Sequence, residues 1–198
     1  MRVKGAFPLS AYQGQTLSPL LEAYLEVNQL KRLYRQGWLR RGVPPEQCES
    51  VAEHVLGMVM LAWWVVDQYF PDLDRERVIR LALAHELGEI YTGDLTPSDG
   101  VSIEEKHRLE RAAVQRVVEK LARGAEYLAL WEEYEQMETP EARLVKQIDR
   151  LEMALQAGVY EKQSDYSMEE FFQSAAGALE NSALIEIFRE IQRLRRQG

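Results

Sequence analysis

The sequence has too little of several features to build a disulfide framework, a membrane span or a nucleic-acid surface. Its 198 residues include one cysteine, Cys48, which excludes a disulfide framework and a cysteine-rich zinc site. The longest apolar run, at residues 55–66, is shorter than the ~20 residues that a bilayer span requires. Asp and Glu number 32 against 24 Lys and Arg, and a formal charge of −8 argues against a nucleic-acid-binding protein.

The N-terminal region shows no secretory signal pattern. The basic start at residues 1–4 is followed by the polar stretch 10–18, where a signal peptide needs an apolar segment. We therefore expect a cytoplasmic protein. Hydrophobic residues make up 46% and charged residues 28%, which is typical of a soluble globular chain. The length suits one domain, which we expect to span residues 1–198.

Apolar residues recur at helical spacing along nearly the whole chain, and no segment shows the alternation typical of a β-strand. The predicted helices span about 20–34, 50–69, 75–90, 102–122, 125–137, 139–162 and 182–195. Residues suited to cap helix N-termini are Ser50, Asp74, Ser102, Thr139 and Ser167, and three of them begin a Ser-x-x-Glu capping box. The sequence thus predicts an all-α bundle of roughly seven helices in one domain.

Three tryptophans lie at two kinds of position, two of them in a predicted helix and one in a predicted loop. The helix that begins after Ser50 is apolar almost all round, which predicts a central, buried helix. Trp63 and Trp64 lie in its apolar run, so we expect them to pack in the core rather than stack on a base. Trp38 follows Gly37 in a predicted loop, and both pocket lining and core packing are open for it.

Candidate chemistry is concentrated in the two most apolar helices. His54 and His85 lie there, although a lone histidine on an apolar face is more often a core residue bonded to a backbone carbonyl. Glu86 follows His85 directly, and a carboxylate in such surroundings needs a partner because burying a bare charge is costly. Glu89 comes one turn later and Asp94 shortly after. These residues predict an acidic cluster near one helix end.

Asp149 is the acid that would turn this cluster into a metal site. It lies inside an amphipathic helix with apolar neighbours on either side. Carboxylate and imidazole groups together are ligands for divalent transition metals. A salt bridge to Lys146 or Arg150 is the alternative interpretation, and spacing leaves both open.

In order along the chain, His54, His85-Glu86 and Asp149 resemble the H…HD…D signature of the HD-domain metal-dependent phosphohydrolases. The resemblance is strongest to the branch that contains HD domain-containing protein 2 and the bacterial 5′-deoxynucleotidases. It covers about residues 30–162. The segments that carry it, in family order, are 30–43, 49–54, 85–97, 105–110, 131–135 and 145–153.

The resemblance implies one divalent metal ion per chain. Its implied ligands are His54, His85, Glu86 and Asp149, and the residues it places in catalysis near the ion are Glu89 and Asp94. Mn²⁺, Co²⁺, Fe²⁺ or Zn²⁺ suit two imidazoles and two carboxylates better than Mg²⁺, which prefers an all-oxygen shell. His107 lies in a charged run that we interpret as a solvated helix face, which favours one metal over two. Glu86 departs from the family, which has Asp there, and leaves open a metal-binding regulatory protein with weak or no catalysis.

The resemblance also implies a reaction, the release of phosphate from deoxynucleoside 5′-monophosphates by metal-activated water. Glu89 would take or relay a proton, and Asp94 would orient the water or assist the leaving oxygen. Lys106 and Trp38 are the predicted substrate-binding residues. A phosphatase for another phosphorylated metabolite is the alternative.

Two further expectations follow from the resemblance. Gly37 stands where the bacterial deoxynucleotidases carry an arginine that contacts substrate, so Arg40 or Arg41 is the expected replacement. A homodimer is also implied. Its predicted face is an apolar stripe on the last helix, which would alternatively pack on its own core, formed by Leu184, Ile187, Phe188, Ile191 and Leu194.

Overall fold

The structure is a computed structural model that describes residues 2–197, so both end positions of the predicted 1–198 domain lie outside it. Within that range the backbone forms helices and turns, with two isolated β-bridges and no β-strand. The α-helices are α1 (Pro19–Val27), α2 (Gln36–Arg40), α3 (Val51–Tyr69), α4 (Arg75–Ala84), α5 (Glu89–Thr92), α6 (Ile103–Val118), α7 (Gly124–Gln136), α8 (Pro140–Gln163), α9 (Glu169–Ala178) and α10 (Ser182–Arg196). The all-α prediction is confirmed. The ten helices of the described residues exceed the expected seven because α2 and α9 lie outside the predicted spans and α5 is separate from α4.

Predicted N-cap side chains begin most of the long helices. Those of Ser50, Asp74 and Thr139 each accept a backbone N–H bond from the first turn of α3, α4 and α8. The capping box at Ser50 is complete. At Ser102 only one of its two hydrogen bonds forms. The Ser102 hydroxyl accepts from the backbone of Glu105, but the Glu105 carboxylate pairs with Arg108.

The capping box predicted at Ser167 is wrong. Helix α9 begins two residues later and has no side-chain cap. Met168 is fully buried, and its backbone N–H donates to the Glu161 carboxylate of α8 over 2.7 Å. A tertiary contact from α8, rather than a local serine cap, therefore holds the backbone where α9 begins.

Helix α8 lies at the centre of the fold and packs against α3, α4, α7, α9 and α10. The apolar stripe of α10 faces this core, since Leu184 and Phe188 are buried and Ile191 lies against Gly158 of α8. The alternative interpretation of that stripe, packing on its own core, is thus confirmed for these residues, whereas Leu194 is 46% exposed. No helix among residues 2–197 combines the length and the hydropathy needed to cross a membrane.

Helix α3 is buried along one face rather than all round. It packs against α4 and α8, which cover residues such as Met58 and Ala62. Its opposite face leaves Leu56 64%, Trp63 43% and Trp64 59% exposed. The prediction that both tryptophans pack in the core is therefore wrong, because a helix that is apolar on every face carries no signal about which face its neighbours cover.

The helix predicted from residue 75 to 90 is broken in two. Helix α4 ends at Ala84, residues 85–88 form turns, and α5 is a single turn packed on α6. Gly93 then reverses the chain with a φ of +76°, a conformation that favours glycine. Because of this break, Glu86 and Glu89 do not lie on one continuous helix. Glu86 lies in the turn after α4, and Glu89 begins α5, which packs on α6.

Candidate metal centre

Three helices bring two imidazoles and a carboxylate to one point. His54 lies on α3, His85 caps the end of α4, and Asp149 lies on α8. The Nε2 atom of His54 is 3.3 Å from Nε2 of His85 and 3.2 Å from Oδ1 of Asp149. The three side chains are buried, and one ligand atom from each lies within 4.8 Å of the others.

The second nitrogen of each imidazole is already engaged. Nδ1 of His54 lies 2.6 Å from Oε2 of Glu152, and Nδ1 of His85 lies 2.7 Å from the carbonyl oxygen of Ala82. Both partners are acceptors, so each Nδ1 carries a proton and each Nε2 faces the shared point, where an unprotonated Nε2 would offer its lone pair to a metal ion. Two aligned imidazole nitrogens and a carboxylate oxygen are a donor set that fits a divalent transition metal.

Glu86 lies at the edge of this cluster. Its Oε1 is 3.7 Å from Nε2 of His54 and 3.6 Å from Nε2 of His85, and it accepts a 2.9 Å hydrogen bond from Arg35. Burial opposes the charge of Glu86, but His85 and Arg35 outweigh it and lower its pKa to about 2. An ionised carboxylate therefore stands beside both imidazoles, and ligation by Glu86 stays a prediction.

Arg35 is a site residue that sequence reasoning missed. It directly precedes α2, its side chain is 14% exposed, and its Nη1 lies 3.9 Å from Oδ1 of Asp94. Burial opposes its charge, yet Asp94 and Glu86 hold its pKa well above the ordinary value. The expected replacements are placed elsewhere, since Arg40 pairs with Asp99 and Arg41 with Glu170 at the surface.

Glu89 and Asp94 flank the same region. Glu89 begins α5, is buried, and its Oε2 has no hydrogen-bond partner among the described residues. Burial and the nearby Glu86 and Asp94 carboxylates raise its pKa well above the ordinary value, which favours the protonated form of Glu89. Asp94 accepts a hydrogen bond from the backbone N–H of Gln36, which ties the loop after α5 to α2.

The two predicted substrate-binding residues are placed differently. Trp38 is 2% exposed, donates from Nε1 to Glu49 over 2.8 Å and packs on Phe171, so it lies in the core and lines no accessible surface. Lys106 on α6 is 40% exposed, and its Nζ lies 3.5 Å from Oε1 of Glu110. Burial opposes its charge, but Glu110 and the carboxylates of the site raise its pKa.

The two alternative ion-pair partners of Asp149 are placed differently. Lys146 pairs with Glu135 and not with Asp149, and the Arg150 Nε is 4.0 Å from Oδ2 of Asp149. The hydroxyl of Tyr134 donates to that same Oδ2, which leaves Oδ1 towards the imidazoles. His107 packs on a tryptophan of α7, away from the cluster.

Fold and site together define an all-α protein with a buried cluster of two histidines and an aspartate suited to a divalent ion. The model of the HD domain family matches residues 27–191, and the chain belongs to that family. The match extends past the region of resemblance through α9 and into α10. Membership inferred from the motifs is thereby confirmed.

Several relatives are similar over most of their length. The chain is 35% identical to the 5′-deoxynucleotidase HDDC2 of Homo sapiens over 187 residues, 92% of this chain and 89% of the relative. It is 39% identical to HDDC2 of Danio rerio over 169 residues, 83% and 82% of the two chains. The 5′-deoxynucleotidase YGK1 of Saccharomyces cerevisiae is 36% identical over 147 residues, 71% and 66%.

Solved structures share the fold. A protein from Pyrococcus horikoshii is 30% identical with a TM-score of 0.74, covering 88% of this chain and 99% of that one. A conserved hypothetical protein from Pyrococcus furiosus is 32% identical with a TM-score of 0.72, covering 87% and 99%. A predicted metal-dependent phosphohydrolase from Magnetospirillum magnetotacticum is 25% identical with a TM-score of 0.66, covering 88% and 94%.

Proposed function

We propose that this chain is a metal-dependent 5′-deoxynucleotidase whose single domain spans residues 1–198. It hydrolyses the phosphomonoester of a deoxynucleoside 5′-monophosphate to a nucleoside and phosphate. The observation that carries the proposal is the convergence of two imidazole Nε2 atoms and the Asp149 carboxylate beside further acids and Arg35. The relatives that bear the name 5′-deoxynucleotidase support the substrate class. Such a substrate agrees with the cytoplasmic location that we expect.

Four side chains would hold the ion: His54, His85, Asp149 and Glu86. A divalent ion bound there supplies a Lewis acid that activates water and offsets negative charge on phosphoryl oxygens. The mixed nitrogen and oxygen donors favour Mn²⁺, Co²⁺, Fe²⁺ or Zn²⁺ over Mg²⁺. One ion per chain agrees with the position of His107 outside the cluster.

Glu89 and Asp94 carry the proton chemistry in this proposal. The raised pKa of Glu89 favours its protonated form, and its buried Oε2 makes no hydrogen bond among the described residues. It would give that proton to the leaving 5′-oxygen, which needs one as the phosphorus–oxygen bond breaks. The Asp94 carboxylate, held by the Gln36 backbone and Arg35, would orient the attacking water.

Positive charge near the acids supports phosphate binding. The contacts of Arg35 to Glu86 and Asp94 both engage Nη1, whereas a guanidinium has five N–H donors in a fork that matches phosphate oxygens. Lys106 is the second cation that faces the acids. We propose that Arg35, with Lys106, receives the substrate phosphate in place of the expected Arg40 or Arg41.

A homodimer is the proposed assembly, with the exposed face of α3 as its interface. Leu56, Met60 and Trp64 follow one another at a spacing of four residues, which places them on one side of the helix. Leu56 and Trp64 are exposed on that side, and a contiguous exposed apolar patch often marks an interaction surface. The α3 face therefore replaces the α10 stripe as the candidate.

Phosphate release tests the reaction. Protein stripped with EDTA and reloaded with Co²⁺ or Mn²⁺ should release phosphate from deoxynucleoside 5′-monophosphates, and excess EDTA should abolish the release. The control is a His85→Ala/Asp149→Ala variant, which should bind no metal and show no activity. A protein that binds one ion but hydrolyses no nucleotide would favour the regulatory alternative, for which the Arg35–Glu86 ion pair is the motivating contact. A panel of other phosphomonoesters in the same assay separates the alternative phosphatase.

A further inference from the structure

The two imidazoles of the cluster are oriented by different kinds of partner. Nδ1 of His85 donates to the carbonyl oxygen of Ala82, a backbone atom of the same helix. Nδ1 of His54 donates to the carboxylate of Glu152, a side chain of a different helix, over 2.6 Å. The orientation of His85 is therefore built into α4, whereas that of His54 depends on one side chain.

Helix α8 contacts His54 on both of its nitrogens. Asp149 lies against Nε2 and Glu152 against Nδ1, and the two acids are three residues apart, which puts them on one face of α8. The imidazole lies between them and is fully buried. The contacts to Asp149 and Glu152 together fix the orientation of the ring.

Gly57 makes space for this arrangement. It lies three residues after His54 on α3, and a Cβ atom there would stand 2.8 Å from Oε1 and 3.6 Å from the carboxyl carbon of Glu152. Glycine in a helix interior costs about 1 kcal/mol relative to alanine. That cost has a reason here, because any larger residue would displace the carboxylate that holds His54.

We propose that Glu152 is a positioning residue that aims Nε2 of His54 at the metal site, and that Gly57 is the spacer that lets its carboxylate reach the ring. The inference rests on the proposed metal site. Carboxylates that orient a ligating histidine typically contribute roughly 10- to 100-fold to metal affinity. Loss of either residue should therefore weaken metal binding without removing any ligand.

Two substitutions remove the same contact in different ways. Glu152→Gln keeps the size of the side chain but removes the charge that strengthens the hydrogen bond. Gly57→Ala keeps the charge but displaces the flexible end of Glu152, so the backbone of α3 can stay in place. The dissociation constant of Co²⁺, followed by its visible absorption, should rise roughly 10- to 100-fold in each variant, and the absorption spectrum should change.

The matched control is Gly177→Ala in α9, where a new Cβ meets no atom within 4 Å. It should bind Co²⁺ like the unaltered protein. The double variant Gly57→Ala/Glu152→Gln should bind Co²⁺ no more weakly than whichever single variant binds it less tightly, because both changes act on one contact. Thermal unfolding of each variant in EDTA shows whether it is folded.

The inference is overturned if folded Glu152→Gln or folded Gly57→Ala binds Co²⁺ within about twofold of the unaltered protein, well below the effect expected of such a partner. If Gly57→Ala does not fold, the Glu152→Gln measurement decides alone. Failure of the unaltered protein to bind Co²⁺ would instead refute the proposed metal site, so the two failures are distinguishable.

Discussion

Charge at the level of single residues is balanced around His54. Burial and Arg35 oppose a positive imidazole, but hydrogen bonds with Asp149 and Glu152 outweigh them and raise the pKa of His54 to about 10. In the metal-free protein the ring is therefore an imidazolium at neutral pH. A metal ion must displace the Nε2 proton, so its binding releases that proton.

This protonation predicts how the stability of the metal-free protein depends on pH. A folded-state pKa above the unfolded value of about 6.5 contributes stability that is fully present below that value and is lost as the pH rises through about 10. The melting temperature measured in EDTA should fall between pH 7 and pH 10. A His54→Gln variant is the control and should lose that fall. An identical fall in both proteins would place the titration elsewhere.

Glu86 provides the second prediction at this scale. Glu86→Asp should keep metal binding, because it restores the residue of the family without changing the charge. Glu86→Gln should weaken metal binding and also destabilise the metal-free fold by about 1–3 kcal/mol, because Arg35 loses its 2.9 Å partner. Metal occupancy and urea unfolding in EDTA measure the two effects. Unchanged occupancy in Glu86→Gln would remove Glu86 from the ligand set.

Helix contacts constrain the short segment that carries the acids. Gly88 lies in the turn between α4 and α5, and a Cβ there would stand 2.6 Å from Cβ and 3.3 Å from Cα of Glu110 on α6. These are atoms close to or in the backbone, which cannot swing away as a side-chain tip can. The close approach of α5 to α6 therefore requires glycine at this position.

Gly88→Ala should accordingly separate α5 from α6 and displace Glu89. We expect a loss of about 1–3 kcal/mol in the free energy of unfolding, the usual cost of overpacking. Nucleotide hydrolysis should fall more than Co²⁺ affinity, since Glu89 is not in the predicted ligand set. Urea unfolding and steady-state kinetics measure both, with Gly177→Ala as the control. A fully stable, fully active variant would contradict the assigned contact.

Elements were predictable from sequence where a local signal marks them. Ser50, Asp74 and Thr139 are N-caps whose chemistry is contained within four residues, and the starts of the three helices that follow them were predicted correctly. The break after Ala84 was missed because no proline or glycine interrupts the pattern before Gly88. The break depends on packing against α6, which spacing along one helix does not encode.

The site was predictable from the sequence only in part. Motif residues His54, His85 and Asp149 meet as expected, because a family pattern records residues that are distant in sequence but adjacent in the fold. Arg35 and Glu152 were missed, since an arginine in a loop and a glutamate on a charged helix resemble solvated residues. For Glu152 a usable signal existed, because it shares a helix face with Asp149.

The whole molecule holds the site between two apolar clusters. One is built mainly from α3, α4, α8, α9 and α10, and the other from α1, α5, α6 and the tryptophan of α7. Leu87, between the two acids Glu86 and Glu89, packs against both clusters. His54, His85 and Asp149 thus come from the helices of the first cluster, whereas Glu86 and Glu89 come from the segment that joins it to the second.

Assembly is the last prediction, and it depends on the α3 face. The double variant Leu56→Lys/Trp64→Lys places two positive charges on that face. In a symmetric dimer these charges would face the same charges of the second chain and repel them. Light scattering at micromolar concentration should give the mass of two chains for the unaltered protein and of one chain for this variant. Ile103→Lys, at a position 88% exposed on α6, is the matched control and should remain dimeric. A monomeric unaltered protein would refute the dimer, and a dimeric double variant would move the interface away from α3.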